Sequence, residues 1–372
     1  MSAAASDVVI VGAGIVGAAC AWSLARAGVK SRVLECGVAG GGATGAGMGH
    51  LVLMDRPEAE FALTRYSRDL WSQLAPEIPP EGEFRQCGTI WVAANESQFE
   101  AARSKHAWYQ ERGLRSELLD GRALADAEPN LRVGLAGGLL VPDDAVTYAP
   151  WVTRWLLERS GAEVSLRARV SRVQRDAVVL ADEERVACGV VVCAAGCAAT
   201  ELFPALPMRP RKGHLAITDR YPGFVHHQLA ELGYLDSAHG SANESVAFNV
   251  QPRATGQVLL GSSRQFGDES VEIAWPTLSR MIRHATEFIP ALARLAVTRV
   301  WTGFRAATDD GLPLIGPYGD AGNVILATGH EGLGITTALA TGELVAAHIL
   351  GHAPAIPAAP YLPSRTGARA HG

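Results

Sequence analysis

Lysine is almost missing from this chain of 372 residues: of its 33 basic residues, only Lys30, Lys105 and Lys212 are lysine and the rest are arginine. An arginine here is therefore a surface residue by default, and only its surroundings can single one out. Acidic residues outnumber basic ones, giving a formal net charge of -5, which argues against a broad nucleic-acid-binding face. Cysteine is scarce too. Cys20, Cys36, Cys87, Cys188, Cys193 and Cys197 form no C-x-x-C pair and no Cys/His cluster at zinc spacing, so a disulfide scaffold is excluded, no metal site is expected, and a reduced, cytoplasmic protein is predicted. With 19% charged and 48% hydrophobic residues, the chain is neither disordered nor a coiled coil. One uncharged run, 8–25, is long enough to raise a membrane span or signal peptide. No basic residue precedes it, and Gly12, Gly14 and Gly17 within it have another use.

The glycines lie between a short apolar strand, 8–11, and a helix predicted to run to about Ala27. A second strand, 31–35, ends in Glu35, eighteen positions beyond Gly17. A G-x-G-x-x-G turn between strand and helix, followed by such an acid, is the dinucleotide fingerprint in its proper context. Gly12 permits the tight turn, Gly14 lets a pyrophosphate approach the helix N-terminus, and Gly17 allows helix and strand to pack closely. Glu35 suits ribose hydroxyls and disfavours a 2′-phosphate. The segment 40–50, Gly-Gly-Gly-Ala-Thr-Gly-Ala-Gly-Met-Gly-His, then offers a backbone able to wrap around something flat. An NAD enzyme has no need of this second loop, and FAD is favoured.

Near the other end, 323–328 reads as a strand, 329–334 as a glycine turn and 335–350 as an apolar helix. Alone, the pattern fits either ordinary packing or a helix N-terminus presented to an anionic ligand. With the fingerprint upstream the second reading is favoured, since unpaired N-H groups suit the charge that grows at N1 and O2 of a flavin being reduced.

Four separated motifs resemble the D-amino acid oxidase and glycine oxidase superfamily over almost the whole chain: the fingerprint with Glu35, the loop 41–49, the apolar run Val190-Val-Val-Cys-Ala-Ala-Gly196, and Trp301-Thr-Gly-Phe-Arg305 through Gly316 with Gly329-His-Glu-Gly-Leu-Gly-Ile-Thr336. The resemblance implies an α/β fold, a Rossmann-type FAD-binding domain with a mixed or antiparallel-sheet substrate domain. It implies cofactor contacts from Gly12, Gly14, Ile15, Val16 and Gly17; from Glu35 and Cys36; from Ala43, Thr44, Gly47, Met48 and Gly49; from Val170, Ala195 and Gly196; and from Gly332, Leu333, Gly334, Ile335 and Thr336. Arg305 would grip the substrate carboxylate, for which a guanidinium offers a two-pronged, charge-assisted pair. His50 and His330 are candidates for a catalytic role against plain packing, with Asn249 and Tyr234 as pocket-wall candidates. Val170 falls where relatives hold the adenine, though an ordinary strand valine fits as well.

Departures from the relatives carry information. Glycine oxidases have an arginine where Gly332 stands, so a wider pocket is expected. Monomeric sarcosine oxidases tether flavin through a cysteine close to the Arg305 motif; no cysteine follows Cys197, which implies non-covalent FAD. They also use an oxygen-activating lysine, and none follows Lys212, which tilts the reading towards a dehydrogenase. Thr44 to Asp55, Leu63-Thr-Arg-Tyr-Ser67 and 329–337 resemble the FAD-containing subunit of bacterial D-hydroxyproline dehydrogenases. The expected function is oxidation of the C-N bond of a small D-amino or cyclic imino acid by hydride transfer to flavin N5, with D-hydroxyproline or D-proline preferred and electron-transfer subunits as possible partners. The alternative is a glycine, sarcosine or D-amino acid oxidase that makes hydrogen peroxide. A flavin scaffold without chemistry and an NAD-dependent dehydrogenase fit less well.

The expected cofactor domain is discontinuous, 1–83, 143–206 and 300–353. The substrate domain fills 84–142 and 207–299, with strands near 88–93, 138–142, 213–218, 244–252 and 257–263; helical character is expected at 99–112 and 275–288, and at 148–160 in the cofactor domain. The proline-rich tail 354–372 is expected to be extended or frayed.

Overall fold

Four apolar β-branched residues in a row, without charge, suit a strand covered on both faces. In the computed structural model, which describes residues 8–233, 244–319 and 322–367, Val8–Val11 lies inside a six-stranded sheet between Ser31–Glu35 and Val190–Cys193, parallel to both. Strand alternation then builds two cores. Val8, Ile10 and Val33 pack against the helices Ile15–Arg26, Ala149–Ser160 and Gly334–Leu350. Val9, Val11 and Leu34 face the opposite way, onto a small antiparallel sheet of Val170–Val173, Ala177–Leu180 and Arg185–Ala187. Both ligand-facing helices therefore start at the carboxyl ends of parallel strands, the place where open α/β sheets bind ligands.

The second large sheet has eight strands, antiparallel except where Gln228–Glu231 runs parallel to Thr89–Ala93. Phe248, Val250 and Leu260 pack on the helix Trp275–Phe288, with Phe248 and Phe288 stacked 4.3 Å apart. Alternation sends Asn249 and Gln251 to the other face, towards the loop around Met48: Gln251 Nε2 and Arg253 Nη1 both donate to the Met48 carbonyl.

Three expectations change. Residues from 300 onwards do not all join the cofactor segments: Val297–Thr308 pairs along Met208–Arg220 as an edge strand of the eight-stranded sheet, so Arg305 stands on that sheet. The tail is not frayed as far as residue 367, since Tyr361 is buried with its hydroxyl donating to the Ala59 carbonyl (2.7 Å) and Arg365 pairs with Asp310 (2.7 Å). The helix Glu58–Leu74 is an element the sequence reading did not assign. It buttresses the late helix, with Trp71 Nε1 donating to the Thr336 carbonyl and the Ala340 N-H donating to Ser67 Oγ. No helix among the described residues is long and apolar enough to cross a membrane.

Candidate active site

A cavity of about 900 Å³ runs from the first glycine turn to the strand that carries Arg305. At its nucleotide end Gly12 adopts φ +105°, and a Cβ there would lie 2.5 Å from the Ala194 carbonyl oxygen. Gly17 is an equally close approach, its missing Cβ falling 2.0 Å from the Gly12 carbonyl. Gly17 therefore shapes the turn from behind and does not line the cavity. Glu35 does line it, with its carboxylate accepting from the N-H groups of Ala13 (2.8 Å) and Gly37 (2.7 Å). Thr44 Oγ1 accepts the Ile15 N-H at 3.0 Å and so ties the second glycine loop to the start of the first helix. Ala43, Gly47 and Met48 line the middle of the cavity, with Val170, Ala195 and Gly196 on another side. Gly334 and Ile335, at the start of a helix without a side-chain cap or an acidic first-turn residue, close a further wall.

Several expected contacts lie elsewhere. Gly49 is held against Thr147, its missing Cβ falling 2.0 Å from that carbonyl. Leu333 and Thr336 do not reach the cavity, and the Thr336 hydroxyl donates to the His50 carbonyl at 3.0 Å. Thr336 thus pins the histidine segment to the late helix and is not spent on a ligand. Tyr234 lies outside the described residues. Cys36 and Cys197 line the cavity, but burial pushes both thiols up, Cys197 to about 11, which leaves them protonated and poorly nucleophilic.

Arg305 occupies a slot that Gly213 keeps open, with Gly332 alongside. It stands opposite Arg211 in the antiparallel register, and its Nη1 donates to the Ser263 carbonyl at 3.1 Å. A Cβ on Gly213 would fall 2.5 Å from Arg305 Nη1, and one on Gly332 would fall 3.7 Å from its Nε. The substitution Gly213→Ala should thus displace the guanidinium and lower kcat/KM on the order of 10- to 100-fold, as misplacing a substrate clamp does. Bound flavin, read by its absorbance, should stay unchanged; unaltered kinetics would show that the slot does not set the position of Arg305.

Glu331 is the site residue that sequence reasoning missed, although it sits within the quoted late turn. It takes a left-handed conformation, φ +46°, and accepts the Gly332 N-H at 2.6 Å and Arg211 Nη1 at 3.2 Å, with Arg264 Nε at 3.9 Å. Burial would raise its pKa, yet Arg264, Arg305 and Arg211, with the Gly332 N-H, hold the carboxyl below its ordinary value. An acid inside an otherwise uncharged glycine turn was the available signal, but its arginine partners come from strands 26 to 120 residues away and only the fold unites them.

Both histidines line the cavity. Burial pushes His50 down to about 4, with the nearby Arg305 and Arg264 charges adding to the effect and the Gly332 backbone opposing it. Burial alone pushes His330 down to about 3. Neither ring is cationic near neutral pH, and a ring nitrogen of His330 is engaged with Thr341 Oγ1 at 2.9 Å. The arrangement suits His330 to packing on the late helix.

A glycine-lined cradle at the ends of parallel strands, with Glu35 beside it and a cavity continuing to Arg305, is the arrangement of a nucleotide-cofactor enzyme. Residues 7–348 match the family described as FAD dependent oxidoreductase (DAO), and the chain belongs to this family. It is 27% identical to a glycine oxidase of Bacillus licheniformis over 364 residues, 93% of each chain. It is 28% identical to a D-amino acid dehydrogenase of Xanthobacter autotrophicus over 314 residues, covering 79% of this chain and 71% of that one. Among solved structures, a glycine oxidase of Geobacillus kaustophilus superposes with a TM-score of 0.87 at 24% identity, over 96% of this chain and 98% of the other. The protein is an FAD-dependent amino acid oxidoreductase.

Proposed function

We propose that this enzyme oxidises the C-N bond of a small D-amino or cyclic imino acid, with D-hydroxyproline or D-proline preferred, and delivers the electrons to an acceptor other than oxygen. The observation that carries the reading is Arg305, held in a glycine slot at the end of the cavity that begins at the nucleotide fingerprint. Its guanidinium offers the substrate carboxylate a forked, charge-assisted pair and so fixes which bond of the α-carbon faces the cofactor. FAD, when bound, would supply the hydride-accepting chemistry for that carbon. The residues that would hold it, without a covalent bond, are the glycines of the first turn, Glu35, the loop 43–48 and the start of the late helix.

The substrate nitrogen must be neutral for its lone pair to form the C=N bond. The guanidinium of Arg305, which the substrate carboxylate would meet, also disfavours an ammonium beside it and favours the free amine. Substitution by Gly332 of a bulky side chain leaves room for a ring. The dehydrogenase reading draws support from the lysines: Lys212 is buried against Asp268 (2.7 Å) and Lys105 against Asp55 (3.0 Å), and none of the three, Lys30 included, lines the cavity. The likeness to a glycine oxidase favours the second reading, a peroxide-forming oxidase.

Anaerobic bleaching of the bound flavin by glycine, sarcosine, D-proline and cis-4-hydroxy-D-proline, followed by admission of air, tests both. Fast bleaching by the cyclic D-imino acids with slow recovery in air is the expected outcome. Bleaching by glycine or sarcosine with rapid recovery and peroxide would replace it with the oxidase.

A further inference from the structure

The cavity wall nearest to Arg305 carries more hydrogen-bonding capacity than the protein uses. Arg305 donates to the carbonyl of Ser263; the residue before it, Ser262, lines the cavity, and so does Asn249, whose strand partner is Gly261. Ser262 is 3% exposed and Asn249 is 5% exposed, and Ser262 Oγ and Asn249 Oδ1 are buried without a hydrogen-bond partner among the described residues. A third such atom is Nδ1 of His50, a residue that also lines this cavity. Met48, Leu215 and Trp301 are apolar neighbours on the same lining. A buried polar atom left without a bond costs about 1–3 kcal/mol, and three on the lining of one cavity are spare bonds that a ligand's own polar group would make.

We propose that Asn249 and Ser262, backed by the ring of His50, read a hydroxyl group on the substrate while Arg305 holds its carboxylate. A hydroxyl both donates and accepts, which matches an amide, a second hydroxyl and an imidazole. The inference rests on the amino or imino acid reading above and adds a substituent to it. A wall built to bond a hydroxyl rejects the analogue without one, because its own polar groups then stay unpaired.

The test uses the holoenzyme and matched substrate pairs, cis-4-hydroxy-D-proline with D-proline and D-serine with D-alanine. Stopped-flow flavin reduction gives a limiting rate and a half-saturating concentration for each. The wild type should prefer the hydroxylated member. In Ser262→Ala and Asn249→Leu that preference should fall on the order of 10-fold or more, through weaker half-saturation by the hydroxylated member and a gain for its partner, which no longer leaves these polar groups unpaired. Flavin absorbance and melting temperature report whether each variant has folded, and the mild Ser262→Ala change keeps the test decisive if Asn249→Leu does not fold. A wild type without preference, or variants that lose both members of a pair equally, would overturn the proposal. If only the acyclic pair reacts and its hydroxyl preference disappears in the variants, the cyclic-substrate reading fails and the hydroxyl wall stands.

Discussion

Replacing Arg305 by Met should leave a yellow, folded holoenzyme whose kcat/KM for its amino acid is lower by roughly 30- to 4,000-fold, equivalent to the roughly 2 to 5 kcal/mol that truncating one partner of a buried charge pair costs. Folding should tolerate the change because Glu331 keeps Arg211 and Arg264 as partners, and the arginine lies at the far end of the cavity from the nucleotide turn. Arg305→Lys separates charge from shape: the ammonium retains attraction but loses the fork, so its kcat/KM should fall between those of wild type and Arg305→Met. Flavin absorbance measures cofactor retention, and anaerobic reduction measures the substrate step. Wild-type kinetics in Arg305→Met would remove the carboxylate clamp from the mechanism, and loss of flavin would make Arg305 a structural residue.

A second large effect is expected at Glu331. The isosteric Glu331→Gln removes a carboxylate on which Arg211, Arg264 and Arg305 all act. Breaking such a buried arrangement costs about 3–5 kcal/mol, which should appear as a clear fall in melting temperature together with a loss of kcat/KM as the repelling guanidiniums move. The sign of the pH dependence follows from the lowered pKa. A carboxyl whose folded pKa lies below its unfolded value of about 4.3 contributes stability that is fully present above the unfolded value and is lost as pH falls through the folded one. The wild type should therefore lose stability relative to Glu331→Gln on acidification below about pH 4.3, and their melting temperatures should converge. Parallel curves across that range would show that Glu331 is not held as an anion by these arginines.

His50 illustrates how sequence and environment divide the work. Its place after a glycine loop is legible, but whether it is charged is not: burial and two nearby arginines, which come from the eight-stranded sheet, decide that it is neutral. Thr336 illustrates the reverse. Its position in the first turn of the late helix suggested a ligand contact, yet its hydroxyl bonds the His50 carbonyl, because the segment around residue 50 crosses that helix. Five strands of the eight-stranded sheet were readable from their patterning, 244–252 with its observed bounds, while Glu117–Asp120 and Gln228–Glu231 were not assigned. The order of those strands, and the membership of 297–308 among them, was not readable, since pairing joins segments that carry no mark of each other.

The sequence by itself determined the nucleotide fold, because a glycine turn, a buried β-branched strand and an acid at fixed spacing are local features with local causes. It also singled out Arg305, through the motif around it. The tertiary structure alone decided what surrounds that arginine: the slot between Gly213 and Gly332, the anion at Glu331, and the unpaired hydrogen-bonding wall of Asn249, Ser262 and His50. These groups are distant along the chain, and their charge states and spare bonds are set by desolvation and by neighbours that only folding supplies.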